Sequence, residues 1–206
     1  MNQTDTEERA AAKATIASVN ADNLLEVVEK LTQWPAYTNQ WTKLALWCAR
    51  RNWGPTAHLV KSAEDSLLYA DWHATMPSAI TEQRRKNIQL ALEASRRAET
   101  RKLAEDLILS AEYRTLEQRA SHMEEIAVAM HAVDAAYHNF TGDWFAATQA
   151  VQSCIRSAIE ASRHRPFQVD ADGMGHPVPQ TREEGLQLQR ETCEQIADFL
   201  KASFAP

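Results

Sequence analysis

The chain has 206 residues, of which 44% are hydrophobic and 24% are charged, and its formal net charge is −6. This is enough chain for one sizeable hydrophobic core and too little for two ordinary domains, so we expect residues 1–206 to form a single domain. The negative charge disfavours generic binding to polyanions, which argues against nucleic acid as a partner.

No targeting or membrane segment is visible in the sequence. Residues 1–9 are acidic and polar, whereas a secretory signal begins with basic residues and continues with an apolar region. The longest apolar runs span only a few residues, far below the ~20 that a membrane-crossing helix needs. The three cysteines, Cys48, Cys154 and Cys193, form no CxxC pair, and an odd number suits a reducing compartment. The sequence therefore predicts a cytoplasmic protein with no membrane span, zinc site or disulfide framework.

Apolar residues repeat at helical spacing along the first part of the chain. A first helix is predicted over residues 6–19, and the sequence leaves residues 1–20 free to fray. A second helix is predicted over residues 24–34 and a third over residues 39–51. A fourth is expected to begin at Pro55, because the missing N–H of proline costs no hydrogen bond at a helix start.

The middle of the chain contains 64 residues, 78–141, with no glycine and no proline. One straight helix of that length would measure ~95 Å, whereas a compact chain of this size has a radius of gyration of roughly 17 Å. Residues 115–118 and 121–124 both match the capping box that marks a new helix start. The run therefore predicts two long central helices, at about 79–111 and 116–140.

Local signals also mark the last two predicted helices. Gly142 ends the long run and Asp143 can cap the next helix, whose buried stripe is predicted to include Trp144. Residues 181–184, Thr-Arg-Glu-Glu, form a capping box that opens the last helix, with Leu186 on its predicted buried face.

Residues 163–180 contain three prolines and two glycines and are predicted to be a loop. The loop exceeds the usual connection between bundle helices, and loops of this length tend to be functional or disordered. No segment of the chain shows the period-two alternation of a strand. The predicted fold class is therefore all-α, a single-domain bundle of seven or eight helices with two long central helices.

Four of the six tryptophans, Trp34, Trp41, Trp47 and Trp53, lie within 20 residues. Trp41 belongs to the buried stripe of the third helix, but Trp47 lies ~120° round that helix and faces another surface. Trp47 and Trp53 are therefore candidates for a partner-binding surface, because such aromatics are enriched at interface hot spots. The alternative is that a helix between two neighbours buries both of its faces.

Arg51 is followed by a polar residue and, seven positions along, by His58. This pair resembles the R-x4-6-H signature of the HEPN ribonucleases, which are all-helical domains that often act as dimers. In that family the histidine and the arginine serve phosphodiester cleavage, so the resemblance implies a metal-independent ribonuclease using Arg51 and His58. The likeness covers eight residues, and Gly54-Pro55 interrupts the helical setting of the motif.

His131, Asp134 and His138 are spaced i, i+3, i+7, which places them along one side of a helix. Imidazole and carboxylate are good ligands for zinc or iron, so a helical metal-binding protein is a further alternative. Their angular position puts them at the border of core and solvent, where such residues also occur without a metal. No second His/Glu pair with matching spacing stands out elsewhere in the chain.

Residues 82–102 are locally basic, with seven lysines and arginines against three glutamates. At helical spacing these cations spread around the axis rather than forming one stripe, which favours a solvated helix surface over a nucleic-acid site. Contact with an acidic protein partner is an intermediate interpretation.

No constellation of catalytic quality is present, and the sequence lacks a Gly-rich phosphate loop, GxSxG and HExxH. We therefore expect a non-enzymatic intracellular protein-binding module without a cofactor. Such a regulator, inhibitor or immunity-type partner acts by covering another macromolecule, and formation of a homo-oligomer is compatible with that role.

Overall fold

The computed structural model describes eight α-helices and one pair of short strands. The described residues are 3–32, 37–51, 60–75, 81–97, 102, 116–163, 167–169, 175–177 and 181–203. The helices are α1 (Gln3–Ala17), α2 (Leu24–Leu31), α3 (Thr38–Arg51), α4 (Lys61–Thr75), α5 (Glu82–Ser95), α6 (Leu116–Thr141), α7 (Trp144–Ser162) and α8 (Arg182–Ser203). The strands are β1 (Phe167–Val169) and β2 (Gly175–Pro177). The predicted all-α class is confirmed.

Helices α6 and α7 form the centre of the bundle. They make the most extensive contact among the described elements, and both also pack against α3. Burial extends around most of α6, where many of the buried residues are alanines. Because an alanine side chain is only a methyl group, the neighbouring helices approach the α6 backbone closely. In the part of α6 whose side chains are described, the positions with 0% exposure are Ile126, Val128, Ala132, Val133, Ala135 and Ala136.

A tight turn joins α6 to α7, and its two residues have the predicted roles. Gly142 adopts a φ of 85°, a left-handed conformation that glycine accepts without steric cost. Asp143 is the N-cap of α7, and its Oδ1 accepts a hydrogen bond from the Ala146 N–H at 3.1 Å. Only this two-residue connection separates the two central helices.

The first half of the breaker-free run differs from the prediction. The helix expected over residues 79–111 ends at Ser95, so the central pair is α6 with α7 rather than two halves of the run. Within α5, whose residues are all described, Leu92 alone is fully buried. Residues 98–101 and 103–111 of the expected helix lie outside the described residues. The box at residues 121–124 lies inside α6 and starts no helix.

Two further boundaries differ from the sequence analysis. The fourth helix begins at Lys61 rather than at Pro55, which lies outside the described residues together with Thr115 of the other capping box. Strands β1 and β2 pair antiparallel inside the predicted loop, with Phe167 opposite Pro177. A strand of three residues is too short to be recognised from the alternation of apolar and polar residues in the sequence.

One hydrophobic core connects the helices from the first to the last. It contains Ala12 and Ile16 of α1 as well as Leu200 of α8. Trp41 is the largest fully buried side chain among the described residues, which confirms its predicted place in the buried stripe of the third helix, and Leu44, Ala45 and Cys48 of α3 are buried with it.

The capping box predicted at the start of α8 is present. The Thr181 backbone N–H donates to Glu184 Oε2 at 2.7 Å, and the Glu184 N–H donates to Thr181 Oγ1 at 3.2 Å. The Thr181 hydroxyl also lies 3.0 Å from the same carboxylate oxygen. The backbone hydrogen bond from Thr181, with the hydroxyl in support, lowers the pKa of Glu184 below its ordinary value of 4.5.

This capping box predicts a pH-dependent effect of Glu184→Gln. A carboxyl group whose folded pKa is depressed adds stability above its unfolded pKa and loses it as the pH falls through the folded pKa. The wild type should therefore melt at a higher temperature than the variant at pH 7, and the gap should close towards pH 3. Thermal unfolding followed by circular dichroism across this range measures the gap.

Glu183→Gln is the matched control, because it removes a carboxylate from the same helical turn without touching the Thr181 contacts. A gap between wild type and Glu184→Gln that is equally large at pH 3 and pH 7 would contradict the prediction.

Candidate functional site

Two adjacent aromatic side chains are exposed where α7 begins. Trp144 is 40% exposed and Phe145 is 59% exposed. Their rings meet edge to face, with centroids 5.9 Å apart and an interplanar angle of 86°. We call Asp143, Trp144 and Phe145 the aromatic turn. Large apolar side chains that are exposed together mark surfaces that bind other molecules more often than single ones do.

The aromatic turn is connected to α6 through His138. One oxygen of Asp143, Oδ1, caps α7, and the other, Oδ2, lies 3.7 Å from His138 Nδ1. The opposite ring nitrogen, Nε2, lies 3.2 Å from Nη2 of Arg96. A guanidinium can only donate, so Nε2 is the acceptor in this contact. Arg96 thus orients the imidazole of His138, whose Nδ1 lies beside the Asp143 carboxylate at a distance too long for a hydrogen bond.

Arg96 connects this arrangement to the end of α5. Its Nε donates to Asp134 Oδ1 at 2.6 Å, and its guanidinium carbon lies 4.0 Å from the centre of the Tyr137 ring. Arg96 and Asp134 are both partly buried, so water weakens their attraction less than at an exposed site. A charge-assisted hydrogen bond and a cation–π contact together fix the end of α5 against α6.

Helix α5 and the two residues after it carry mostly basic charge. Residues 81–97 contain five basic side chains and two acidic ones, in a chain whose net charge is negative. Arg97, the residue after Arg96, is exposed, and so are Arg84, Arg85 and Lys86 near the start of α5. Within this basic segment, Arg96 reaches His138 of α6, the residue that lies beside Asp143.

The structure describes one of the two tryptophans that are predicted to bind a partner. Trp47 is half-buried, and its ring lies 4.8 Å from that of Phe199 on α8, so part of the side chain covers the core. Trp53 lies outside the described residues. The partner-binding role of Trp47 and Trp53 stays a prediction.

The ribonuclease alternative also rests partly on residues that are not described. Arg51 is the last residue of α3, and His58 lies outside the described residues. The structure therefore gives no distance between them, and their catalytic role stays a prediction.

The three residues considered as metal ligands lie along one half-buried side of α6. Arg96 contacts both Asp134 and His138, and a cation already in that position repels a metal ion. His131 lies on the same side, one turn before Asp134. Among the described residues, no group of three or more His, Cys, Asp and Glu side chains is arranged to hold a metal.

The sequence analysis missed the aromatic turn because it placed Trp144 in a buried stripe. Trp144 is the first residue of α7, one turn ahead of Ala147, where burial begins. Leu186, also predicted to be buried, is 50% exposed on α8. The available signal was that Trp144 and Phe145 are adjacent, because neighbours on a helix point ~100° apart and cannot both face one core.

Comparison with protein-family models, curated protein sequences and solved structures finds no match to this chain. Among the described helices, none is both long enough and apolar enough to cross a membrane.

Proposed function

We propose that this chain is an intracellular protein-binding module and that the aromatic turn is its main contact surface. The observation that carries the proposal is the exposure of Trp144 and Phe145 on a turn whose Asp143 side chain caps α7. Aromatic side chains contribute most of the binding energy in many protein interfaces. A turn that is already ordered also loses little conformational entropy on binding, which favours affinity.

The charge beside the aromatic turn favours an acidic partner. Arg97 can attract a surface rich in aspartate and glutamate, while Phe145 and Trp144 enter an apolar pocket. Arginine and tryptophan are among the residue types most enriched at hot spots. The partner is thus a protein with an apolar pocket flanked by carboxylates, and this chain acts by covering it, as a regulator, inhibitor or immunity-type partner.

The state of the cysteines supports a cytoplasmic location. Cys48, Cys154 and Cys193 are all free thiols, which is typical of proteins in a reducing compartment. Burial raises the pKa of the Cys154 thiol well above its ordinary range, and burial also raises the pKa of Cys193. Thiols that stay protonated react slowly with oxidants.

Affinity capture from the native cell tests the proposal, provided that the captured protein is then purified and its binding measured. Phe145→Ala and Trp144→Ala should each weaken binding by about 30-fold, the effect expected for a hot-spot side chain. Arg97→Glu should also weaken it, and more so at low salt, because the attraction is between charges.

Two controls separate this surface from others. Leu186→Ala removes an exposed apolar side chain from α8 and should leave binding unchanged. Trp53→Ala tests the surface that the sequence analysis favoured. If the aromatic-turn variants fold and bind like the wild type, the proposed contact surface is wrong. Light scattering of wild type and Phe145→Ala shows whether the captured partner is a second copy of the chain.

A further inference from the structure

A second candidate site lies in a cleft between α3, α4, α5 and α6. Its volume is about 580 Å³, and no residue of the aromatic turn lines it. Volumes between roughly 300 and 1,000 Å³ are usual for sites that bind small molecules. Its lining includes two asparagines, two aromatic residues and two charged residues: Asn39, Asn139, Tyr69, Phe140, Glu82 and Arg85.

Two carboxamides meet in this cleft, one from α3 and one from α6. Asn139 Nδ2 donates to Asn39 Oδ1 at 2.7 Å. Each amide keeps one group for other contacts, because Asn39 retains its NH₂ donors and Asn139 retains its carbonyl acceptor. A donor next to an acceptor is complementary to the C=O and N–H of one peptide group.

Two aromatic rings line another part of the cleft. The centroids of Tyr69 and Phe140 are 5.5 Å apart, with an interplanar angle of 58°. Tyr69 is buried and Phe140 is half-buried, so the rings offer the cleft an apolar surface already packed against the bundle. An aliphatic or aromatic side chain of a ligand would be transferred from water onto this surface, which is favourable.

Two opposite charges line the cleft from the first turn of α5. Glu82 and Arg85 are three residues apart on this helix, and both are exposed. Neither side chain forms an ion pair or a hydrogen bond with another residue in the part of the chain that the structure describes. One carboxylate and one guanidinium therefore remain available to a ligand. This combination disfavours a phosphate, which Glu82 would repel, and a simple cation, which Arg85 would repel.

We propose that the cleft binds a short zwitterionic peptide, of about dipeptide size, that carries an apolar side chain. Arg85 receives the peptide carboxylate as a paired hydrogen-bond donor, and Glu82 receives the ammonium group. The carboxamide pair contacts the peptide bond, and the Tyr69–Phe140 surface receives the apolar side chain. This ligand site is independent of the protein-binding function of the aromatic turn.

Isothermal titration calorimetry of the full chain with glycyl-L-phenylalanine tests this proposal. The N-acetylated and C-amidated forms of the dipeptide each lack one charge, and each should bind at least about tenfold more weakly, since charge-assisted hydrogen bonds are the strong ones. Arg85→Ala and Glu82→Ala should each weaken binding of the unmodified dipeptide by a similar factor. Both positions are exposed, so circular dichroism should show an unchanged fold.

Lys86→Ala is the matched control, because it removes a cation next to Arg85 that does not line the cleft. It should leave dipeptide binding unchanged, and so should Phe145→Ala, which separates this site from the aromatic turn. The proposal is overturned if no binding is detected up to millimolar dipeptide. It is equally overturned if the acetylated and amidated forms bind as tightly as the zwitterion.

Discussion

Replacing Trp41 with alanine is expected to lower the free energy of unfolding by about 3–5 kcal/mol. Trp41 is 0% exposed and is the largest fully buried side chain in the described part of the chain. It lies on α3, which packs against both central helices, so the surrounding backbone can collapse only partly into the space left. A loss of this size is a large fraction of the stability of an ordinary domain.

Urea unfolding followed by circular dichroism measures this loss, and Trp144→Ala is the control of the same chemical kind. Trp144 is exposed at the start of α7, so its removal should cost less than about 1 kcal/mol. Equal losses for the two variants would mean that α3 does not pack in the core as described.

Arg96→Ala is expected to destabilise the protein by about 2–3 kcal/mol, from one charge-assisted hydrogen bond and one cation–π contact. The substitution leaves the partly buried Asp134 carboxylate without its cation, and it removes the donor to His138 Nε2. The loss should appear in urea unfolding. It should also weaken partner binding through the aromatic turn, because His138 would no longer be held in one orientation beside Asp143.

Two variants control for the charge of Arg96. Arg97→Ala removes the neighbouring cation, which is exposed, and should change the unfolding free energy by less than about 0.5 kcal/mol. Arg96→Lys keeps the charge but loses the planar group over Tyr137, so it should recover only part of the stability. If Arg97→Ala and Arg96→Ala cost the same, the Arg96 contacts contribute nothing specific.

The parts of the fold that the sequence predicted well are those governed by local rules. The Gly142-Asp143 turn and the Thr181–Glu184 capping box depend on contacts between residues at most a few positions apart. The end of α5 at Ser95 was not predicted, because residues 78–111 contain no glycine or proline to mark it.

In the candidate site as well, features that depend on local spacing could be predicted, whereas contacts between distant residues could not. Asp134 and His138 were singled out from their spacing only as possible metal ligands, and Arg96, which contacts both, lies 38 and 42 positions away from them in sequence. A single sequence does not show which distant cation reaches a given carboxylate. The exposure of Trp144 was missed because helical periodicity does not show where along a helix burial begins.

The short connection and the alanines of the α6–α7 pair have a consequence for the entropy of folding. The closure of a loop of two residues removes few chain conformations, and alanine has no side-chain rotamers to lose when it becomes buried. Many of the residues that α6 and α7 bury are alanines. These two helices therefore come together at a smaller loss of chain freedom per buried residue than elements that are distant in sequence. The aromatic turn lies at the connected end of this pair, where ordering the chain costs the least conformational entropy.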